Sequence, residues 1–460
     1  MDPIGSATTK QTHLAAVPYP GRGHVNALMN LCKLLSLKNP NILISFIVTD
    51  EWLTFLAGEP KPQNIRFATI PNVIPSEIGR ANDFPGFIRS VNSDMEAPTN
   101  TLLTRLHPPP TAIVADAFLT WMVQLGNNLC IPVASLWPMS VTVFSILYHF
   151  ELLQENGDFP AELSERGEQI VDYFPGVSKI RLADLPSFFS GNGVKVVGAA
   201  VKSARSVDNS QFLISTSVYE LESSVIDALK AKFPIPIYTI GPSAPYFELE
   251  TSVKDNGGDP KNYLRWLDSQ TEGSVLYISQ GSFLSVSSAQ MEEIIAGVKD
   301  SGVRFLWVAR GDDGRLKDVD GETGMVVEWC DQLKVLCHSA VGGFWTHGGW
   351  NSTLEGVFAG VPMLAWPIFW DQIPNSKKIV EDWKVGVRFQ AVGGRNLVGR
   401  EEIAETVKRF MNPENVEGRE MRKRVSELRD ACRRAVARGG SSDSNIDAFL
   451  GDICGIAREL

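Results

Sequence analysis

Residues 13–38 read HLAAVPYPGRGHVNALMNLCKLLSLK: an apolar run at His13–Pro18, a turn through Gly21 and Gly23, then Val25, Leu28, Leu31, Cys32 and Leu35 at helical spacing. A strand that passes through a glycine turn directly into a helix is the opening unit of a parallel sheet covered by helices. The remainder of the chain repeats the pattern. Strand candidates follow at Ile42–Thr49, Ile65–Ile70, Ala112–Ala115, Val133–Trp137 and Phe212–Thr216. In the second half they lie at Ser274–Ser279, Arg304–Val308, Val335–Cys337, Gly342–Phe344 and Val361–Ala365, with helical segments around 287–300, 351–359 and 372–383. The class is therefore α/β. Residues 243–262 (SAPYFELETSVKDNGGDPKN) lose the periodicity and gain Gly, Asp and Pro, which marks a linker. The organisation expected is an N-terminal domain at 1–242, the linker at 243–262, a C-terminal domain at 263–440, and a final helix at 441–460 packing back on the N-terminal domain.

Composition removes several function classes. With 44% hydrophobic and 21% charged residues, a 460-residue chain buries a large core and is not disordered. The balance of 43 basic and 53 acidic residues, a net charge of −10, argues against nucleic acid or an anionic membrane as partner. Six cysteines without a C-x-x-C pair are too few for a disulfide scaffold and give no support to a structural zinc site. No stretch reaches 18 apolar residues, and the start, MDPIGSATTKQT, lacks the apolar core of a secretory signal. A cytoplasmic monomer is expected.

The turn after the first strand offers chemistry as well as geometry. Gly21 and Gly23 let the backbone approach a ligand, but a dinucleotide fingerprint needs glycine where Asn26 stands, although Asp50 mimics its acidic ribose ligand. His24 opens the helix, whose positive end disfavours imidazolium and leaves the ring able to accept a proton. Asp116, at the end of the fourth strand, reads in isolation as a cap. In a doubly wound sheet of order 3-2-1-4-5, however, strands one and four are neighbours, and His24 and Asp116 then face each other as base and orienter. In the second half the loop His347-Gly348-Gly349 follows a strand and precedes a helix opened by Asn351 and Ser352. Free backbone N–H groups and the helix dipole converge there, as at a diphosphate site. Trp329 offers a flat face for a base, and Glu355 an acceptor pair for a ribose.

Taken together, Trp329–Gln372 resembles the signature box of plant family 1 UDP-glycosyltransferases, which act on small-molecule acceptors and have the GT-B architecture of two Rossmann-like domains facing a cleft. YPGRGH, VADAF, YLRWLDS at 263–269, ISQGS and Ser442–Ile453 are also similar to that family. The resemblance implies His24 as catalytic base and Asp116 as its partner. It implies Trp329 stacked on uracil, Cys330 contacting it through its backbone, Gln332 near the ribose and Glu355 on the ribose hydroxyls. Ser282, His347, Gly349, Asn351 and Ser352 would hold the diphosphate, and Trp350, Asp371 and Gln372 the sugar. Glutamine at 372 is associated in the family with glucose. This chain departs from the pattern at Gly348, where cysteine is usual, at Cys330-Asp331 for Ala-Pro, at Gln280 for Phe, and at Pro138, where a sugar-contacting threonine is often found.

The acceptor pocket is expected to draw on Phe84, Phe87, Phe118, Trp121, Phe144 and Phe188 of the first domain, favouring lipophilic alcohols or phenols. The chemistry implied is a single inverting displacement on UDP-glucose as co-substrate, needing no metal or other cofactor. Asp318-Val319-Asp320 matches a manganese-binding Asp-x-Asp only formally and reads as a solvated loop. A nicotinamide-dependent oxidoreductase and a catalytically silent UDP-sugar-binding protein are the competing readings.

Overall fold

The computed structural model describes residues 11–160, 162–249, 263–281, 286–309, 316, 321, 323–389 and 397–459. The first sheet contains β1 (His13–Val17), β2 (Leu43–Thr49), β3 (Ile65–Ile70), β4 (Ala112–Asp116) and β5 (Val133–Trp137). A two-stranded ribbon, β6 (Ile170–Val171) and β7 (Ile180–Arg181), stands apart, and β8 (Phe212–Ser215) and β9 (Ile237–Thr239) complete the sheet in the order β3-β2-β1-β4-β5-β8-β9. The second sheet contains β10 (Val275–Ser279), β11 (Arg304–Val308), β12 (Gly324–Val327), β13 (Val341–Thr346), β14 (Met363–Ala365) and β15 (Gly386–Arg388), in the order β12-β11-β10-β13-β14-β15. Every pairing in both sheets is parallel.

The parallel arrangement explains why the strands are apolar throughout rather than alternating. Strand side chains alternate between faces, so Ala15 and Val17 enter one apolar cluster while Leu14 and Ala16 enter another on the opposite face. The helix Arg22–Lys38 lays Val25, Leu28, Leu31, Cys32 and Leu35, its apolar stripe, into the second of these. In each sheet the chain reverses its winding beside the first strand, between β1 and β4 and between β10 and β13. At these switch points the carboxyl ends of the strands leave a crevice for ligands.

The two lobes are joined by polar contacts as well. Lys378 Nζ lies 3.3 Å from Glu222 Oε1 and donates to Thr142 Oγ1 at 2.9 Å. Burial opposes ionisation of Glu222, but Lys378 and the donors on Ser217, Thr142 and Val141 outweigh it and hold the carboxyl below its usual range. Arg388 reaches Asp184 at 2.8 Å and Lys377 donates to Ser178 at 2.7 Å. The final helix, Ser441–Glu459, lies on the first lobe: Ile446, Phe449, Leu450 and Ile453 enter its core, and Phe449 meets Phe212 and Tyr238 at 5.9 and 5.7 Å. Of the linker, residues 243–249 are docked, with Asn30 donating to the Ser243 carbonyl at 3.0 Å and Tyr246 against Phe358 at 5.6 Å. Residues 250–262 lie outside the described residues.

Some local expectations are corrected. Val335–Cys337 is not a strand; it closes the helix Gln332–Leu336, whose start is capped by Asp331 accepting from Lys334 N at 3.2 Å. A three-residue apolar run carries no period, and the cap was the deciding signal. The strand expected from Val361 starts at Met363, beyond Pro362, which lacks an N–H for the ladder. The helix expected at 372–383 is divided into Gln372–Lys377 and a π-helical turn at Lys378–Asp382. The short strands β9, β12 and β15 were missed.

Candidate functional site

The two switch points supply the site. The turn after β1 delivers His24 in the first turn of its helix, and β4 ends at Asp116, brought alongside because β1 pairs with β4. His24 Nδ1 lies 2.7 Å from Asp116 Oδ2, while Asp116 Oδ1 accepts from Phe118 N at 2.9 Å. Asp116 is 1% exposed, so no bulk water competes for these bonds. The second ring nitrogen of His24, Nε2, has no protein partner among the described residues. A buried carboxylate so placed holds the imidazole in one tautomer and leaves its other nitrogen able to accept a proton. The turn is braced by Arg80, which donates to the Pro20 carbonyl at 3.0 Å and pairs with Glu77 at 2.8 Å. Burial pushes the Glu77 carboxyl up to about 7 despite Arg80.

In the second lobe, β13 ends at Thr346 and the helix Trp350–Ala359 begins after Gly349, which has no side chain to cap it, while the Asp371 carboxyl accepts from the Trp350 backbone N–H. The remaining N–H groups of that first turn suit an anion. Gly348 sits at φ +79, a left-handed conformation suited to glycine, and Thr346 Oγ1 accepts from its N–H at 3.1 Å. The His347 ring is gripped between two glycines: a Cβ on Gly281 would lie 2.9 Å, and one on Gly349 2.5 Å, from its Nε2. Burial lowers the His347 pKa to about 4, so the ring is neutral. Around the loop, Gln280 Nε2, Trp350 Nε1 and Asn351 Oδ1 are buried without a hydrogen-bond partner among the described residues. Orphaned polar atoms of this kind mark a place where polar ligand groups belong.

Deeper along the helix, Gln332 donates to Ser352 Oγ at 3.0 Å and to Glu355 Oε2 at 2.7 Å, and it accepts from Tyr277 OH at 3.2 Å. Burial raises the Glu355 carboxyl to about 7. Cys330 is buried, its sulfur 3.4 Å from Tyr277 OH, whereas Trp329 is 63% exposed. At the far end of the loop, Asp371 accepts from Asn375, whose amide also holds the Gly348 carbonyl, at 2.9 and 3.0 Å. Gln372 Oε1 accepts from Ile368 N and Phe369 N. Burial raises the Asp371 carboxyl to about 6.

A cavity of about 150 Å³ lies between the halves, lined by His24 and Phe118 from the first lobe and Asp371 and Gln372 from the second. Of the aromatic residues expected there, Phe84, Phe118 and Phe188 are present. Phe87, Trp121 and Phe144 belong to the core instead. Phe87 packs against Tyr19 and Phe84, Trp121 Nε1 donates to the Val91 carbonyl, and Phe144 stands between Trp137 and Tyr148. Aromatic content in the sequence does not report which face of a helix looks inward. Trp370 lines the cavity and was not anticipated; its proximity to Asp371 was the available signal. Two second-lobe residues of the expected sugar-nucleotide site also make contacts within the protein. The Trp350 ring is buried against Trp383, and the Asn351 amide nitrogen donates across the cleft to the Gly23 carbonyl at 2.8 Å. Ser282, Asp318 and Asp320 lie outside the described residues.

Comparison with known proteins gives a consistent set of matches. A family model described as UDP-glucoronosyl and UDP-glucosyl transferase matches residues 216–422. UDP-glycosyltransferase 87A2 of Arabidopsis thaliana is 53% identical over 453 residues, covering 98% of each chain. The structure of Medicago truncatula UGT71G1 complexed with UDP-glucose superposes with a TM-score of 0.81 at 28% identity, covering 97% of this chain and 99% of that one. Phytolacca americana UGT2 complexed with UDP-2fluoro-glucose and pterostilbene gives a TM-score of 0.80 at 26% identity, covering 96% and 99%.

Proposed function

Since the chain belongs to the UDP-glycosyltransferase family and has its two-lobed GT-B architecture, we propose that it transfers glucose, with inversion, from UDP-glucose to a small lipophilic alcohol, phenol or carboxylic acid, with His24 as general base. The observation that carries this reading is the shared cavity, in which a base from one lobe and the Asp371-Gln372 pair from the other line the same space.

In this mechanism the acceptor hydroxyl enters beside His24. Its proton passes to Nε2 as its oxygen attacks the anomeric carbon from the side opposite UDP. The bond from that carbon to the β-phosphate oxygen breaks, and the electron pair leaves with UDP. Asp116 balances the imidazolium formed, and Nδ1–H remains bonded to it throughout. The negative charge growing on the β-phosphate meets the first turn of the helix Trp350–Ala359, beyond the Trp350 N–H that Asp371 takes, and the loop at His347–Gly349, donors already in place before the reaction. Glu355, as carboxylate, accepts from the ribose hydroxyls, and Trp329 covers the uracil. Gln372 supports glucose as donor, as does the UDP-glucose bound by the Medicago protein.

Among the described residues no helix is long and apolar enough to cross a membrane. We place the enzyme in the cytoplasm as a monomer. Incubation with UDP-glucose, UDP-galactose or UDP-glucuronic acid and a panel of phenols, alcohols and carboxylic acids, read by mass spectrometry, tests the proposal. A gain of one hexose from UDP-glucose, abolished in His24→Ala while UDP still binds, is expected. Unchanged turnover in His24→Ala rejects the assignment of the base, and absence of a sugar adduct with every donor rejects the transfer activity.

A further inference from the structure

Trp370 differs from every other described residue of the second half. Among the described hydrophobic residues beyond 240, it alone joins the first lobe's larger apolar cluster. Its ring meets Phe188 and Phe84 edge-on at 4.7 and 5.0 Å, and it lies within 24° of parallel to Phe118 at 6.4 Å. Its backbone has φ +60, a conformation that a bulky residue keeps only when its surroundings hold it there. The holding partner is Ser187 of the first lobe: Trp370 N donates to Ser187 Oγ at 2.6 Å, and Ser187 N donates to the Trp370 carbonyl at 3.3 Å. On the other side, the two bonds from Ile368 N and Phe369 N to Gln372 close the segment on itself. One short loop therefore shapes a wall of the cavity and presents Asp371 and Gln372.

We propose that Trp370 is an acceptor-specificity residue, the wall of the acceptor slot supplied by the sugar-binding lobe, which selects flat aromatic acceptors by stacking them between its indole and Phe118. This rests on the reading of the cavity as the acceptor site. Two stacking contacts of about 3.5 Å each need rings about 7 Å apart, and the pair already stands at 6.4 Å and nearly parallel. A small opening admits a planar ring, whereas a globular alicyclic alcohol requires the lobes to separate further. Because Trp370 and Asp371 are consecutive, the width of the slot and the placement of the sugar contacts change together.

The test uses the full chain with Trp370→Ala and Trp370→Phe. Binding of 2-naphthol and of 1-adamantanol is measured by calorimetry in the presence of UDP, and UDP binding is measured alone. Trp370→Ala weakens 2-naphthol about ten-fold and shifts preference toward 1-adamantanol, Trp370→Phe restores 2-naphthol to within about three-fold, and both variants bind UDP as the parent does. Unchanged 2-naphthol affinity in Trp370→Ala, an equal loss for both alcohols, or no 2-naphthol binding by the parent overturns the proposal. A parent protein that binds 2-naphthol and UDP yet forms no glucoside refutes the transfer reaction and leaves the role of Trp370 standing.

Discussion

Replacing Asp116 by asparagine exchanges one carboxylate oxygen for an NH2 group and, in the proposed mechanism, reverses the job of His24. Asp116 uses one oxygen for Phe118 N–H and the other for His24 Nδ1, in a pocket that excludes water. In Asp116→Asn, the amide oxygen stays with Phe118 N–H, which needs an acceptor, and the NH2 group then faces Nδ1. The imidazole must accept there and carry its proton on Nε2, so it cannot take one from the acceptor alcohol. Turning the amide over restores the tautomer but sets two buried donors against each other, at a cost of about 1–3 kcal/mol, or roughly 5- to 150-fold in rate. The lost carboxylate charge, which stabilised the imidazolium, brings the fall in kcat to about 10³–10⁴-fold, equivalent to about 4–5.5 kcal/mol. Initial rates of UDP release at saturating donor and acceptor measure kcat, and calorimetry with UDP shows that the second lobe is intact. A folded Asp116→Asn enzyme that keeps more than about one-tenth of the parent kcat refutes the orienter role.

Three further outcomes follow from described contacts. In the proposed function Glu355 accepts two ribose hydroxyls as a carboxylate; with its pKa at about 7, UDP-glucose affinity should fall about ten-fold from pH 8 to pH 6, and Glu355→Gln should flatten the profile. A pH-independent Kd in the parent contradicts this. Gly349→Ala places a Cβ 2.5 Å from the His347 ring, so the loop must shift and UDP should bind about 10- to 100-fold more weakly; calorimetry at the parent's Kd would show instead that the loop tolerates a side chain. Phe449→Ala opens a hole between Phe212 and Tyr238 and should cost the first lobe about 3–5 kcal/mol, read as an earlier urea transition in its tryptophan fluorescence. A loss under about 1 kcal/mol would mean that the helix is not part of that core.

Legibility from sequence depended on whether a signal was periodic or directional. β3 and β5 were bounded to the residue because unbroken apolar runs between turn signals leave little freedom. The strand order 3-2-1-4-5, and with it the meeting of His24 and Asp116, followed from the winding rule and is extended in the molecule by β8 and β9. Edge strands of three or four residues such as β9, β12 and β15 are too short to show a period. Side-chain direction was likewise hidden: Phe144 and Phe118 are equally aromatic, yet only Phe118 looks into the cavity. The cleft-spanning bond from Asn351 to Gly23 joins residues 328 apart, and no local pattern encodes such a contact.

The placement of the last helix has a consequence for how the molecule is made. Ile446, Phe449, Leu450 and Ile453 complete a core begun by Leu14 and Ala16, so during synthesis the N-terminal lobe has one flank uncovered until residues 446–453 have emerged. The C-terminal lobe, by contrast, has its whole sheet synthesised before that helix emerges. A hybrid assembled by exchanging lobes between relatives must therefore carry residues 441–459 with the first lobe rather than the second, or each half inherits a mismatched seam.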